Sequence, residues 1–371
     1  MSVWRQFSLA LYPWVYVAQF KGSNGNSSDG WSGDFREQEH KSPAEEAALS
    51  AEERQALLGR RNWIEGLPLV NYTTQYGFGC FAGRKAFQQK DGSLKMFRPD
   101  KNGERMHRSM DGLRMPPIPV ELFVEAVRGM VARNRDLGFA PAYDPAWETD
   151  NFLSASSVYV RPFSYSEPGI GLNLSKEPFF VAISTPVGSY FDVDAPSKAI
   201  TTDKVRATKG GTGWIKCDAN YVIPTLEKHA VMDRGYMEAV FLDAATQSFV
   251  EEGSSSNIFF LMSDGTLVTP TLEDTILPGI TRDSIIQLAR DRGVTVVERK
   301  VTIDEVMEDA EEAFVTGTAA GISYLESLTH KGTERVFRER AMGELTRELL
   351  HELKGLQYGA VADRHGWMLE V

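Results

Sequence analysis

The pattern of apolar and polar positions divides the chain into a β-rich first half and a second half in which helices and strands alternate. The opening twenty residues predict a short helical turn and a strand; Pro13 and a single basic residue argue against a signal peptide. From Tyr72 short β-rich runs follow, and Asp91-Gly92 predicts a hairpin turn. The first half is completed by predicted helices at about 103–113 and 120–137 and by strands at 158–165 and 178–191.

Residues 21–61 interrupt this β-rich half. The polar run KGSNGNSSDGWSGD predicts a flexible loop, and two serine-led capping boxes, Ser42 to Glu45 and Ser50 to Glu53, each predict the start of a helix. The stretch carries many acidic residues and no catalytic pattern. We therefore expect an acidic, solvated helical excursion.

A run of proline and small polar residues at 191–203 predicts an interdomain linker. The expected domains are a smaller N-terminal α+β domain at 1–190 and a larger C-terminal domain at 204–371. The elements predicted beyond the linker are helices at 221–235 and 281–293, a capped helix from Thr302, and strands at 237–243, 247–252, 256–262, 294–302 and 311–325.

The composition narrows the function classes. The formal charge of -11 over 371 residues argues against nucleic acid and anionic membrane surfaces as partners, because both require a basic stripe. With only two cysteines, Cys80 and Cys217, no disulfide framework is predicted, and a reducing cytoplasm is the expected compartment. The six histidines form no pair with metal-ligand spacing, so no metal site is predicted.

Three glycine-containing turns are candidates for binding an anion: Gly211 to Gly213 before Lys216, Gly279 to Thr281 at a helix start, and Gly317 to Ala319 after a strand. Backbone amides at such turns suit an anion such as phosphate, and a lysine beside one could carry out covalent chemistry. Each turn alone is weak support for anion binding, since glycines also occur where the backbone only turns sharply, with Lys216 solvated on the surface.

A carboxylate, Glu252, leads a strand into the serine-rich turn of VEEGSSSN. If Glu252 is buried it requires a cation, and a protonated heteroaromatic nitrogen would be suitable. The alternative is a hairpin turn whose acids face water.

Taken in order, GGTGWIK, NY, VEEGSSSN, ILPGITR and FVTGTAA resemble the pyridoxal-phosphate enzymes of fold type IV. RMHRSM, VYVRPFSYSEPGIG, TPVGSYF and LQYG are similar to branched-chain amino acid aminotransferases of the long class. The resemblance covers roughly 66–371 and implies a two-domain α/β (α+β) fold with the cofactor between the domains. It implies reversible, ping-pong transfer of the amino group of leucine, isoleucine or valine to 2-oxoglutarate, and a homodimer.

The resemblance also implies roles for individual residues. Lys216 would carry pyridoxal 5'-phosphate as a Schiff base and move the proton at the substrate Cα, and Glu252 would keep the pyridine nitrogen protonated. The remaining cofactor-binding positions are Arg105, Tyr221, Leu277, Gly279, Ile280, Thr281, Gly317 and Thr318, and the substrate positions are Tyr76, Tyr159, Arg161, Tyr190, Ser255, Thr318 and Ala319.

The chain departs from the family pattern at three places. Ala82 stands where an acidic residue is usual, Cys217-Asp218-Ala219 replaces smaller residues, and the GTAAGIS turn lacks paired cysteines, so no thiol switch is expected there. Two alternatives stay open. One is a D-amino acid or amine aminotransferase, or an aminodeoxychorismate lyase, of the same fold; the other is a non-catalytic binding scaffold.

Overall fold

The computed structural model describes residues 9–22, 30–188 and 197–371. The chain divides into two compact units. The N-terminal unit comprises the described residues up to 188 together with 217–219 and 356–371. The C-terminal unit comprises 197–216 and 220–355.

The described residues of the N-terminal unit form a seven-stranded sheet in which all neighbouring strands are antiparallel. Its strands are β1 (Trp14–Phe20), β2 (Trp31–Glu37), β3 (Arg84–Gln88), β4 (Leu94–Phe97), β5 (Ser157–Tyr165), β6 (Phe179–Val187) and β17 (Met368–Glu370), in the order β17-β4-β3-β5-β6-β1-β2. Tyr159 and Arg161 are two residues apart on β5, so their side chains leave the same face of the sheet. The predicted hairpin at Asp91-Gly92 is confirmed between β3 and β4.

Two helices pack against each other in this unit, α4 (Pro99–Gly112) and α5 (Val120–Asp136), and α5 also packs on β1 and β6. Phe123, Val127 and Met130 recur at helical spacing on α5 and are buried. Both predicted helices are therefore confirmed, although α4 begins at Pro99, because a proline is well tolerated in the first helical turn.

The excursion contains α1 (Pro43–Ala48) and α2 (Ala51–Arg61), and α3 (Tyr72–Tyr76) follows it. Both capping boxes are confirmed, with Ser42 and Ser50 each exchanging hydrogen bonds with the glutamate three residues later. The loop predicted over KGSNGNSSDGWSGD is wrong at 31–34, which form the first part of strand β2. Polar residues suit β2 because it is an edge strand, anchored by the buried Trp31.

The described residues of the C-terminal unit form two five-stranded sheets, ordered β12-β11-β10-β13-β14 and β16-β15-β7-β8-β9. Buried residues of both sheets, among them Val240, Phe260 and Leu328, belong to one hydrophobic cluster. The strands are β7 (Lys198–Thr202), β8 (Glu238–Leu242), β9 (Val250–Gly253), β10 (Asn257–Met262), β11 (Leu267–Thr269), β12 (Val296–Glu298), β13 (Ala310–Gly317), β14 (Gly321–Leu325), β15 (Ser327–His330) and β16 (Thr333–Val336).

The helices of this unit are α6 (Val222–Met232), α7 (Ile280–Asp291), α8 (Ile303–Asp309) and α9 (Glu344–Tyr358). Residues 356–358, the last three of α9, belong to the N-terminal unit. The helices predicted at 221–235, at 281–293 and from Thr302 are confirmed, and Thr302 caps α8 by accepting a hydrogen bond from the amide of Glu305.

The predicted domain boundaries differ from the structural units at three points. Residues 198–202 of the predicted linker form β7, the central strand of its sheet, because Ala199 and Ile200 are buried there. Residues 356–371 belong to the N-terminal unit, since β17 pairs with β4. The N-terminal unit is also the larger of the two by described residues, whereas the sequence predicted the smaller; the predicted bounds of 1–190 and 204–371 already gave it more residues.

Candidate active site

Lys216 and Tyr221 lie together in the C-terminal unit. The Lys216 Nζ donates a hydrogen bond of 2.5 Å to Tyr221 Oη. Lys216 follows a turn and Tyr221 immediately precedes α6, so the five-residue spacing of the sequence returns the phenol to the amine. Both side chains are half-buried. The alternative considered from the sequence, in which Lys216 is a solvated surface lysine, is therefore excluded.

The glycine turn before Lys216 is held by two polar anchors. Asp274 accepts hydrogen bonds from the amides of Gly210 and Trp214, and Asn220 donates to the carbonyl oxygens of Thr212 and Ile215. A Cβ on Gly213 would lie 2.5 Å from the carbonyl oxygen of Thr275. Glycine is required here because the two chain segments approach too closely for any side chain.

Glu252 is a buried acid at the end of β9, with 2 % of its surface exposed. Its Oε1 accepts a hydrogen bond from the amide of Leu277 at 3.1 Å and forms an ion pair of 2.7 Å with Arg206 Nη1. Its Oε2 accepts a longer hydrogen bond, 3.4 Å, from Asn257 Nδ2. The water-facing hairpin is thus excluded for Glu252, and Oε2 is the less strongly bound of the two oxygens.

Burial raises the pKa of Glu252 to about 7, while the charge of Arg206, the Leu277 amide and the charge of Lys216 act in the opposite direction. The protonation state of Glu252 is consequently set by whatever cation lies near it. A further cation at Oε2 would favour the ionised form.

Asn257 connects Glu252 to the N-terminus of α7. Its Nδ2 also donates to the carbonyl oxygen of Leu277 at 2.9 Å, and a Cβ on Gly279 would lie 2.0 Å from Asn257 Oδ1. Gly279 is the residue before α7, whose first-turn amides, at Ile280 and Thr281, point out of the helix end. Such an end favours an anion.

The third glycine turn joins β13 to β14, with Gly317 paired to Gly321. A Cβ on Gly317 would lie 3.9 Å from the carbonyl oxygen of Ser255. The turn holding Thr318 and Ala319 therefore approaches the serine-rich turn after Glu252. All three glycine turns predicted from the sequence lie in this one unit.

The described substrate candidates of the N-terminal unit are arranged around Arg161. Its Nη2 donates to Tyr159 Oη at 2.8 Å, and its guanidinium carbon lies 4.7 Å from the Phe81 ring centroid. Tyr76 is 43 % exposed, and its hydroxyl accepts a hydrogen bond from the amide of Gly171. Tyr159 and Arg161 are thus brought together, while Tyr190 lies outside the described residues.

Arg105 is buried on α4 in the same unit. Asp218, one of the departures from the family pattern, donates its amide to the carbonyl oxygen of Gly79 at 2.9 Å. Burial raises the pKa of Asp218 to about 6, and the charge of Arg161 lowers it. Asp218 therefore adds a carboxylate to the electrostatic environment of Arg161.

Sequence reasoning missed Arg206, Asn257 and Asp218 as site residues. The requirement of a buried carboxylate for a cation indicates that Glu252 needs a partner, but it does not identify Arg206, which lies 46 positions earlier in the chain. The asparagine of VEEGSSSN stands in a motif that was recognised, yet its contacts to Leu277 and Gly279 appear only in the fold.

The described ranges also bear on metal-binding and membrane-spanning function classes. No group of three or more histidine, cysteine, aspartate or glutamate side chains there has a metal-binding arrangement. No helix within those ranges has both the length and the apolar character needed to cross a bilayer.

Comparison with known proteins identifies the family. Residues 87–328 match the family described as Amino-transferase class IV. The branched-chain-amino-acid aminotransferase of Mycolicibacterium smegmatis is 37% identical over 304 residues, which is 79% of this chain and 80% of the relative. The enzyme of the same name from Haemophilus influenzae is 37% identical over 305 residues, covering 80% and 85%.

Solved structures of branched-chain amino acid aminotransferases are also similar to this chain. The branched-chain amino acid aminotransferase of Escherichia coli superimposes with a TM-score of 0.69 at 26% identity, over 82% of this chain and 93% of that one. The enzyme of Thermobaculum terrenum, in its PLP-form, gives 0.68 at 26% identity over the same shares. The predicted fold type is confirmed, and the branched-chain reading is favoured over the alternatives of the same fold. The chain belongs to the class IV amino-transferases and, among them, to the branched-chain aminotransferases.

Proposed function

We propose that the protein transfers the amino group of leucine, isoleucine or valine to 2-oxoglutarate, reversibly, with pyridoxal 5'-phosphate bound at Lys216. The observation that carries this proposal is the pairing of the Lys216 amine with the Tyr221 phenol in the same unit as the buried Glu252. The family membership supplies the reaction class.

The residues present fit this cofactor. Lys216 supplies an amine, Tyr221 a phenol beside it, and Glu252 a buried carboxylate whose pKa, near 7, responds to a neighbouring cation. Gly279 leaves no room for a side chain at the start of α7, where helix amides suit a phosphate. When bound, the cofactor supplies an electron sink for deprotonation of an amino acid at Cα.

Lys216 has two tasks in this proposal. Its amine would hold the cofactor, and its Nζ, when free, would take the proton from the substrate Cα. The chain connectivity keeps the base at the reacting carbon, so proton transfer is effectively intramolecular. Tyr221 orients Nζ through the 2.5 Å hydrogen bond.

Glu252 would face the cofactor ring nitrogen and keep it protonated. Arg206, the Leu277 amide and Asn257 fix the orientation of the carboxylate. The phosphate would be bound by the Ile280 and Thr281 amides and by the further phosphate ligands that the family resemblance implies, Arg105 and Thr318, with Gly317 as a further cofactor-binding position.

The substrate would be recognised by apolar and polar groups together. Arg161, held by Tyr159 and stacked on Phe81, is the cation for a substrate carboxylate. An apolar wall serves the branched side chain. The remaining substrate-binding positions in this proposal are Tyr76, Tyr190, Ser255, Thr318 and Ala319.

Two further assignments are part of the proposal. We propose a homodimer, from the family resemblance, and the cytoplasm as compartment, from the two cysteines, Cys80 and Cys217, which are buried and form no disulfide. The partners proposed are amino acid and 2-oxo acid substrates, without nucleic acid or membrane.

The test compares L-leucine, D-alanine and a chiral amine as donors to 2-oxoglutarate. The proposal predicts transfer from L-leucine and little from the other two; transfer from D-alanine alone would overturn the substrate assignment. Absorbance near the visible edge that is abolished in Lys216→Ala is the second readout. A protein that stays colourless with added cofactor would favour the non-catalytic scaffold.

A further inference from the structure

Glu238 is a buried acid on β8 of the C-terminal unit, with 3 % of its surface exposed. Its Oε1 accepts a hydrogen bond of 3.0 Å from the amide of Ser254, and its Oε2 accepts one of 3.3 Å from the Ser256 hydroxyl. One carboxylate therefore holds two residues of the serine-rich turn that follows β9. Glu238 stands outside the sequence motifs that predict the site, 16 positions before Ser254.

The serine-rich turn is short, and Ser255 lies at its tip. The amide of Gly253 donates to the carbonyl oxygen of Ser256 at 2.8 Å, which leaves Ser254 and Ser255 as the two residues between them. Ser254 is buried, whereas Ser255 is exposed. Glu238 thus holds the residue on either side of Ser255 and leaves Ser255 itself open to a ligand.

The carboxylate of Glu238 is fixed from its other side as well. Lys228 Nζ, on α6, lies 3.5 Å from Oε2 and supplies the cation that a buried acid requires. A Cβ at Gly253 would lie 2.6 Å from Ser256 Oγ and 3.2 Å from Glu238 Cδ. Only glycine at this position lets the acid and the turn approach so closely. Glu238 therefore joins α6, β8 and the turn.

The turn held by Glu238 also approaches a second turn of the site. The carbonyl oxygen of Ser255 lies 3.9 Å from the place that a Cβ on Gly317 would take. Thr318 and Ala319 follow Gly317 in that second turn. Three of the proposed substrate positions therefore lie on two neighbouring turns, and Glu238 fixes the turn that carries Ser255.

We propose that Glu238 is a positioning residue for substrate binding: by holding Ser254 and Ser256, it keeps Ser255 in the place where Ser255 contacts the amino acid or the 2-oxo acid. This inference rests on the proposed function, which assigns Ser255 to the substrate site. A polar group on a turn binds a ligand more tightly when the turn is already held in place, because ordering it during binding costs free energy. Glu238 acts in this way without touching the substrate.

The first test measures kcat and KM for L-leucine and for 2-oxoglutarate in Glu238→Ala. Both KM values should rise about tenfold, because both substrates use the same pocket, while kcat changes much less. Glu238→Gln keeps an oxygen that accepts from the Ser254 amide. It should retain KM values near those of the wild type, even where loss of the ion pair with Lys228 lowers its melting temperature. Wild-type KM values in Glu238→Ala would overturn the inference.

A double-mutant cycle tests whether Glu238 acts through Ser255. Ser255→Ala should raise both KM values by itself. Adding Glu238→Ala to Ser255→Ala should raise them little further, because the residue that Glu238 positions has already lost its contact with the substrate. Two effects that multiply in full would show that Glu238 acts by another route, against the inference.

Ser256→Ala gives the answer if Glu238→Ala does not fold. This variant keeps the buried pair of Glu238 and Lys228 and removes only the hydrogen bond at Oε2. Both KM values should rise about threefold, as expected for the loss of one hydrogen bond, and the melting temperature should stay near that of the wild type. Unchanged KM values in this variant would also overturn the inference.

Glu312→Ala is the matched control. Glu312 is an equally buried acid of the same unit, on β13, and its Oε2 likewise accepts from a backbone amide and a hydroxyl, both of Thr346. This control should melt at a lower temperature and keep wild-type KM values. If its KM values rise as much as those of Glu238→Ala, the effect is one of stability and the inference fails.

The same measurements separate this inference from the proposed function. A wild type that transfers no amino group from L-leucine to 2-oxoglutarate overturns the proposed function and the inference with it. A wild type that carries out the transfer, with unchanged KM values in Glu238→Ala, overturns the inference alone.

Discussion

At the scale of single residues, the proposed chemistry depends on one carboxylate, Glu252, whose environment controls its charge. Glu252 is buried, its Oε1 is bound by Arg206 and the Leu277 amide, and its pKa lies near 7. Without a further cation nearby, Glu252 takes up a proton near neutral pH. With a protonated ring nitrogen near Oε2, the carboxylate stays ionised and the electron sink is maintained.

Replacing Glu252 by glutamine should lower the rate of the leucine half-reaction by about 10²- to 10³-fold, because a preorganised electrostatic interaction is lost. Cofactor binding should change much less. Single-turnover absorbance measurements with L-leucine separate the two effects. A variant with wild-type turnover would contradict the role given to Glu252.

The same substitution has a pH signature in the apoprotein. The folded pKa of Glu252, about 7, lies above the ordinary carboxyl value, so its stabilising contribution is present below about pH 4.5 and is lost as the pH rises through 7. The free energy of unfolding of Glu252→Gln should therefore fall less between pH 5 and pH 8 than that of the wild type. Urea denaturation at both pH values measures this slope, and equal slopes would count against the assignment.

Asp218 should lower the preference for 2-oxoglutarate relative to 4-methyl-2-oxopentanoate. It carries a carboxylate near Arg161, so a second carboxylate on the substrate meets like charge there. Asp218→Gly should raise kcat/KM for 2-oxoglutarate relative to 4-methyl-2-oxopentanoate about tenfold, from Coulomb repulsion over several ångströms. Ala219→Gly is the control for backbone freedom and should leave the ratio unchanged.

The preference should also depend on pH. Asp218 has a pKa of about 6; the titratable groups that act on it or lie beside it are Arg161, Cys80 and Cys217. Below pH 6 Asp218 loses its charge, so the wild type should favour 2-oxoglutarate more strongly there, whereas Asp218→Gly should show no such change. The opposite trend would be inconsistent with repulsion.

At the scale of elements, Asn257 connects the start of α7, whose Ile280 and Thr281 amides are proposed to bind phosphate, to Glu252. Gly279→Ala places a Cβ 2.0 Å from Asn257 Oδ1 and forces Asn257 away from Leu277. We expect a loss of about 1–3 kcal/mol in the free energy of unfolding and weaker cofactor binding. Gly59→Ala in α2, where a Cβ meets nothing within 4 Å, should be neutral or slightly stabilising. Chemical denaturation of both variants tests the comparison.

The elements also show what the sequence could predict. Caps and turns are local, so the capping boxes at Ser42 and Ser50 and the hairpin at Asp91-Gly92 were predictable. β2 was missed because an edge strand tolerates polar residues, and β7 because its pairing partners, β8 and β15, lie far along the chain.

Some residues of the candidate site were likewise predictable from the sequence, and others were not. Lys216, Tyr221 and Glu252 stand in ordered motifs, and the structure brings them into one unit. Arg206 could not be identified, because its significance depends on burial and on a partner distant in sequence, Glu252.

At the scale of the whole molecule, the chain folds as two units, and the proposed function adds a second copy. Light scattering coupled to size-exclusion chromatography should give twice the chain mass of 41.3 kDa. The measured mass should stay the same across a tenfold dilution in the micromolar range. A mass of one chain with full activity would contradict the proposed homodimer.

The most direct test of the central claim is to reduce the cofactor-loaded protein with borohydride and map the modified lysine by mass spectrometry. The pyridoxyl phosphate mass should appear on Lys216; Tyr221→Phe should retain the label at this position, and Lys216→Ala should lose it. Labelling of another lysine, such as Lys209 or Lys85, with Lys216 unmodified would contradict the account.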